Sequence, residues 1–229
     1  MAQRDLAADV PTCPDWTVRD ALVHTGHVYL NKVANMRTMA KAEFAAVPAP
    51  AGGEIEWFRA AFDELVGELV TRGPDAAAYT WFPPDQTVGF WYRRMAQETA
   101  VHRVDVESAF GQVTPIAEDL AVDGIDEMLD LFVGGEWDPD SPDWGDVSHD
   151  AGAGTTTAVS AGDRAWWITL QPDRIGVTGE ERPADARVTG SPSEVLLWLW
   201  GRLGDDALTV DGDAAVLRAL RDRLTIAGQ

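Results

Sequence analysis

Along the first half of the chain, apolar residues recur at the 3.6-residue spacing of helices that bury one face. Val18, Leu22, Tyr29, Val33 and Met36 form one such stripe. Thr17 reads as the N-cap of that helix, with Asp20 in a capping-box position, and the pattern runs to about Thr38. His24 flanks the stripe, and His27 points nearer to a third face. Ile55, Phe58, Phe62, Leu65 and Leu69 form a second stripe over residues 54–72, between the Pro/Gly-rich linker 47–53 and the stop at Gly73-Pro74. A third helix begins near Val88, past the irregular Phe82-Pro83-Pro84, and is closed by Gly111 and Pro115. Residues 1–16 read as a lead-in without helix, because Pro11 and Pro14 bracket Cys13 and a proline forces its predecessor out of the α region. Cys13 is expected to be structural.

Beyond Pro115 the pattern changes. Leu120 to Phe132 predicts one more helix, and Gly134 to Thr156, rich in Gly, Asp and Pro, predicts a long loop carrying Trp137, Trp144 and an exposed His149. From Thr157 the period becomes two: 157–160, 165–170, 174–178 and 186–189 are short runs separated by turn signals, which predicts a small antiparallel sheet. Ser191-Pro192-Ser193-Glu194 combines an N-cap serine, proline at the first helical position and glutamate at the third. The helix it opens, Val195 to Trp200, is apolar nearly all round and should be buried. A strand at 208–210 and an amphipathic helix from Ala214 to Leu224 follow. The expected organisation is α+β in two domains: a helical bundle over 1–112 and a smaller α+β domain over 113–229.

Composition narrows the function classes. With 229 residues, 45% of them hydrophobic, the chain can bury a substantial core. Acidic residues number 38 against 18 basic ones, a net charge of −20 that disfavours nucleic acid and anionic membrane surfaces as partners. A single cysteine rules out an internal disulfide framework and fits a reducing compartment. The N-terminus has no apolar leader, and no apolar run reaches the ~18 residues needed to span a bilayer. A soluble cytoplasmic protein is expected. Lysine occurs only at positions 32 and 41, which reads as coding bias.

The chemistry concentrates in the third helix. At about 100° per residue, Trp91, Met95, Glu98, His102 and Asp105 share one sector, which should face inward. A buried ionised carboxylate is costly unless compensated. Glu-x-x-x-His lets both side chains reach one divalent ion from the same helix face. The same spacing equally suits a core histidine hydrogen-bonded to its neighbouring glutamate.

Cys13-Pro-Asp-Trp-Thr-Val-Arg-Asp-Ala-Leu-Val-His24-Thr-Gly, followed by Gly89-Phe-Trp-Tyr-Arg-Arg-Met-Ala-Gln-Glu98-Thr-Ala-Val-His102-Arg-Val-Asp105, resembles the mycothiol-dependent maleylpyruvate isomerase family. Gly190-Ser-Pro-Ser-Glu ahead of Leu199-Trp-Gly-Arg202 resembles that family's smaller C-terminal domain. The resemblance implies an N-terminal DinB-like bundle and a sterol-carrier-like α+β domain. It implies His24, Glu98 and His102 as ligands of a divalent metal, zinc by preference, with a position left open as in catalytic zinc sites. Asp105 would orient the His102 imidazole or act on the substrate, and Arg94 and Arg202 are candidate partners for a substrate carboxylate.

The activity so implied is thiolate chemistry. Mycothiol would lose its proton at the metal and attack a small electrophile, adding to a double bond and leaving after rotation in an isomerase, or staying in the product in an S-transferase. Family members carry a first helix ahead of the Cys-Pro-x-Trp segment. The bundle is therefore expected to show an apolar groove, either because the start shown is truncated or because a partner chain, such as a second copy in a homodimer, fills the gap. The competing expectations are a hydrophobic-ligand-binding member, with the Leu196–Trp200 helix enclosing the ligand, and a non-catalytic member acting through protein contacts.

Overall fold

A computed structural model describes residues 5–46, 48–49, 52–136, 138, 140 and 147–227. The linker residues Val47, Pro50 and Ala51 and the loop residues Trp137 and Trp144 lie outside the described residues. Packing divides the chain into two compact units, Met1–Thr114 and Pro115–Gln229. No helix among the described residues is long and apolar enough to cross a membrane.

The first unit is built on α1 (Val18–Thr38), α2 (Glu54–Arg72) and α3 (Val88–Ser108). The capping box that opens α1 forms as expected: the Thr17 N–H donates to Asp20 Oδ2 at 2.8 Å and the Asp20 N–H to Thr17 Oγ1 at 3.4 Å. All five stripe residues of α1 are buried. Against α2 the helix comes close enough at Gly26 that a Cβ there would run into the Trp57 indole. The α2 stripe departs from expectation. Leu65 and Leu69 are buried, but Phe62 is 42% exposed, and Val66 and Val70 are exposed beside it. Phe62 still rests an edge on Tyr29, with 6.0 Å between ring centroids. In α3, Trp91, Met95 and Asp105 are buried, so the inward sector read from the sequence faces the core.

In the second unit, α4 (Glu118–Glu127) does not continue as an α-helix to Phe132. Met128–Val133 winds as a π-helical turn, closed by the Gly134 N–H on the Leu129 carbonyl at 2.7 Å, an i to i−5 bond. The wider turn brings Val133 onto the buried side with Met128 and Leu129. Gly134 suits this closure because a Cβ would stand 2.6 Å from the Leu129 oxygen.

The sheet comprises β1 (Gly135–Glu136), β2 (Thr156–Ala161), β3 (Arg164–Leu170), β4 (Arg174–Thr178), β5 (Ala186–Gly190) and β6 (Thr209–Gly212), in the order β1-β4-β3-β2-β5-β6. It is mixed, not antiparallel: β2 and β5 pair in parallel, Thr157 opposite Ala186. Period two marks a strand but carries no direction. The direction is set by the connection 179–185, which returns the chain to the starting end of β2, where the Thr156 N–H donates to Asp185 Oδ2 at 2.8 Å. The expected loop from Gly134 contains the two-residue β1, too short to show a period. Across the sheet, α5 (Pro192–Leu199) has the expected serine cap, and its residues Val195 to Leu199 are all buried. The last element among the described residues is α6 (Ala214–Ala227).

Candidate metal centre

Two helices supply the cluster. His24 projects from the second turn of α1, and Glu98 and His102 lie one turn apart on α3. Glu98 Oε1 is 3.3 Å from His102 Nε2 and 3.5 Å from His24 Nε2. One ligand atom from each of the three residues lies within 4.8 Å of the others, so all three can reach a common ion. The donor set of two imidazole nitrogens and one carboxylate oxygen suits zinc and leaves coordination positions over. Among the described residues, this is the one group of three or more His, Cys, Asp or Glu side chains so placed.

His102 and Glu98 are each held from behind, and aromatic rings flank His24. His102 Nδ1 is 2.8 Å from Asp105 Oδ2, and Asp105 is fully buried. With Nδ1–H donated to that carboxylate, Nε2 is the nitrogen that can turn a lone pair to the cluster once its own proton is lost. Arg94, one turn before Glu98, donates from Nη2 to Glu98 Oε2 at 3.1 Å and is itself buried. The Trp16 ring lies parallel to His102 at 6.0 Å between centroids and tilts against His24 at 5.0 Å. Phe44 stands on the other side of His24 at 6.0 Å. Lys32 Nζ sits 5.2 Å over the Trp91 ring.

These contacts move the titrations. Burial alone would push the His102 imidazole down, but hydrogen bonds to Asp105 and Glu98, and the charges of both, raise it to about 9. Burial alone would push the Glu98 carboxyl up. The imidazoles of His102 and His24 and the Arg94 charge outweigh that and hold it well below the usual carboxylate range. The Lys32 ammonium is pushed down by burial against the opposing pull of Glu98.

Two concavities flank the ligands. His24 lines an open hollow of about 560 Å³ between Trp16 and Phe44, with Asp15, Asp20 and His27 on its wall. His102 lines an apolar cavity of about 320 Å³ floored by Leu22, Tyr29, Phe58 and Val106.

The description "Mycothiol maleylpyruvate isomerase N-terminal domain" matches residues 1–107, and "MDMPI C-terminal domain" matches residues 119–219. The chain belongs to the mycothiol maleylpyruvate isomerase family. Both halves of the resemblance read from the sequence are thereby borne out, together with the helical-then-α+β layout. No curated protein matches the chain. A solved structure titled "UbiJ-SCP2 Ubiquinone synthesis protein" aligns with 50% of this chain and 94% of its own, at 19% identity and a TM-score of 0.33, a likeness too slight to carry weight.

Of the residues singled out in this family member, His24, Glu98, His102, Asp105 and Arg94 are brought together in the first unit. Arg202 belongs to the second unit, where Nη1 donates to the Trp200 carbonyl at 2.8 Å. His27 turns its ring to Trp57 and Phe44, outside the ligand cluster. His149 lies in the second unit, partly exposed, with Nε2 3.9 Å from Asp150. Cys13 is half-buried in an apolar cluster with Val10, Val18 and Leu22, as a structural cysteine should be. Sequence reasoning passed over Trp16, Thr12 and Lys32. Only Trp16 had a signal available, its place in the Cys-Pro-Asp-Trp motif.

Proposed function

We propose that the chain is a metal-dependent enzyme using a low-molecular-weight thiol, mycothiol by family, to isomerise a small electrophile or to transfer the thiol to it. The observation that carries this reading is the convergence of His24, Glu98 and His102 from two helices within 4.8 Å. A divalent ion held there, zinc by donor type, supplies the Lewis acidity that brings a thiol's ionisation toward neutral pH.

The chain's own residues set the conditions for that chemistry. Asp105 selects the His102 tautomer, and Arg94 fixes the Glu98 carboxylate. Arg94 therefore fits a positioning role better than contact with a substrate, since its guanidinium is buried on Glu98. Trp16 shields one face of the His102 ring from water. Arg202 is retained as the proposed partner for a carboxylate on an acidic electrophile, through paired N–H donors. Thiol cosubstrate and single cysteine fit a reducing cytoplasmic setting. The exposed α2 residues Phe62, Val66 and Val70 are the proposed contact of a homodimer.

The test begins with elemental analysis of the purified chain. About one divalent ion per chain is expected, and none in the His102→Ala variant. The loaded protein is then incubated with mycothiol and a panel of electrophiles, and isomerised products and thiol adducts are followed by mass spectrometry. Absence of both metal and thiol-dependent turnover overturns the proposal, and co-purified lipid in their place would favour a binding protein.

A further inference from the structure

The lead-in before α1 is an ordered strap. The Val10 N–H donates to the Trp16 carbonyl at 2.8 Å, the Cys13 N–H to Val10 at 3.0 Å and the Trp16 N–H to Cys13 at 3.1 Å. The Val18 N–H reaches back to Ala8 at 2.9 Å, and Val10 is buried against Val18 and Leu22. Position 12 is thus held on a closed turn, and Thr12 Oγ1 meets Asp105 Oδ1 at 2.7 Å.

A proton count decides how that contact works. Each hydroxyl has one proton to give. Ser108 gives its proton to the Asp105 backbone carbonyl at 2.7 Å, and Thr12 gives its own to the Asp105 carboxylate. The 3.3 Å between the two hydroxyl oxygens is therefore proximity with no proton left to bridge it. The other carboxylate oxygen, Oδ2, faces His102 Nδ1 at 2.8 Å. A carboxylate anchored through one oxygen can still turn about its Cβ–Cγ bond, whereas anchoring both oxygens fixes its plane.

We propose that Thr12 is a positioning residue of the metal centre: its hydroxyl locks the Asp105 carboxylate in the plane that receives His102 Nδ1, and so keeps His102 Nε2 aimed at the point shared with His24 and Glu98. The strap holds the same imidazole from a second side through Trp16, parallel to the ring. The inference rests on the metal-binding reading of the cluster. It adds that a segment outside the helices tunes how tightly the ion is held.

The test titrates metal-stripped protein with cobalt(II), following the visible absorption of the bound ion and competing it against a chelator. Thr12→Val keeps the shape and removes the donor, and its affinity should fall about 3–10-fold, less than the roughly 10–100-fold for losing a group that touches a metal ligand directly, because Thr12 acts through Asp105. Thr12→Ser keeps the donor and should stay within about twofold of the wild type. In an Asp105→Ala background, where no side-chain acceptor is left for the hydroxyl, the Thr12→Val effect should vanish, because the two act in series. If Thr12→Val folds too poorly to titrate, Thr12→Ala and Thr12→Ser make the same comparison, since both lose the methyl and only one loses the hydroxyl. Equal cobalt affinity in the variants with and without the hydroxyl overturns the role of Thr12 alone. A wild-type chain that binds no cobalt overturns the metal reading as well.

Discussion

On the metal-binding proposal, uptake of an ion would displace a proton, and the cost of doing so can be worked from the contacts of His102. Its Nδ1 faces one carboxylate at 2.8 Å and its Nε2 faces another at 3.3 Å, so in metal-stripped protein the ring keeps its second proton up to about pH 9. A ligand must present a lone pair on Nε2. At pH 7 the protonated form outweighs the neutral one by about a hundredfold, which weakens apparent binding by about 3 kcal/mol relative to its ceiling. The apparent association constant should therefore climb about tenfold per pH unit from about pH 6.5 and flatten near the raised pKa, about 9.

Chelator-competition titrations across this range give the slope. Calorimetry in buffers of different ionisation enthalpy should count about one proton released per ion near neutrality. Asp105→Asn removes one of the two charges that raise the imidazole, so the plateau should arrive at lower pH. Its ceiling should fall about 10–100-fold as the ring loses its orienting partner. An affinity independent of pH over this range, or binding without proton release, would refute the reasoning.

The same shift has a stability sign. A raised folded-state pKa contributes stability to stripped protein that is fully present below the unfolded imidazole value near 6.5 and is lost as pH rises through about 9. The amount is about 3 kcal/mol. Glu98, held low, contributes above the ordinary carboxylate value of 4.5 and loses its contribution as pH falls below it. The two shifts partly describe one interaction and are not summed.

Arg94→Met leaves the Glu98 carboxylate without its guanidinium and should cost stripped protein about 2 kcal/mol in urea unfolding, with a smaller loss once a divalent ion supplies the opposite charge. An unchanged midpoint with and without metal would exclude this role. Gly26→Ala drives a methyl into the Trp57 indole and should lower stability by about 1–3 kcal/mol through overpacking of α1 on α2, read by thermal unfolding. A neutral effect would mean the two helices separate freely at that point. Wild-type protein should sediment as a dimer, and Val70→Glu, at the most exposed large apolar residue of α2, as a monomer. A monomeric wild type removes the proposed contact.

What could be seen in the sequence follows the range of the interaction behind it. The caps at Thr17 and Ser191 are complete within four residues, and both form as the spacing implies. Glu98, His102 and Asp105 sit three and four residues apart on one helix, so their common direction is local geometry. Arg94 lies at the same i,i+4 distance from Glu98, a signal that weighing it only against a substrate passes over. His24 needed the packing of α1 on α3, which no local pattern contains, and it entered through family resemblance. Thr12 is 93 positions from its partner in a stretch without periodicity, and nothing in the order of residues points to it. The π-helical turn at Met128–Val133 and the parallel pairing of β2 with β5 escaped for a related reason. A period identifies an element and leaves open how its last turn closes or which way its neighbour runs.

The electrostatics around the cluster explain why a thiolate would be welcome in a chain of net charge −20. Glu98 is already met by the Arg94 guanidinium, and the Lys32 ammonium lies within electrostatic reach of it. Asp105 is met by the His102 ring and the Thr12 hydroxyl. Were His102 to give up its proton to a bound dication, the two negative charges of Glu98 and Asp105 would stand against those of the ion, Arg94 and Lys32, leaving an excess of about two positive charges in a partly buried site. Water relieves such an excess poorly there, and an anion relieves it well. A thiol that ionises on entry brings its own compensating charge, whereas a neutral ligand does not. On the metal-binding proposal, the arginine and lysine around Glu98 would do more than stabilise a buried carboxylate: by neutralising it in advance, they would leave the charge of a bound ion free to act on whatever occupies an open position.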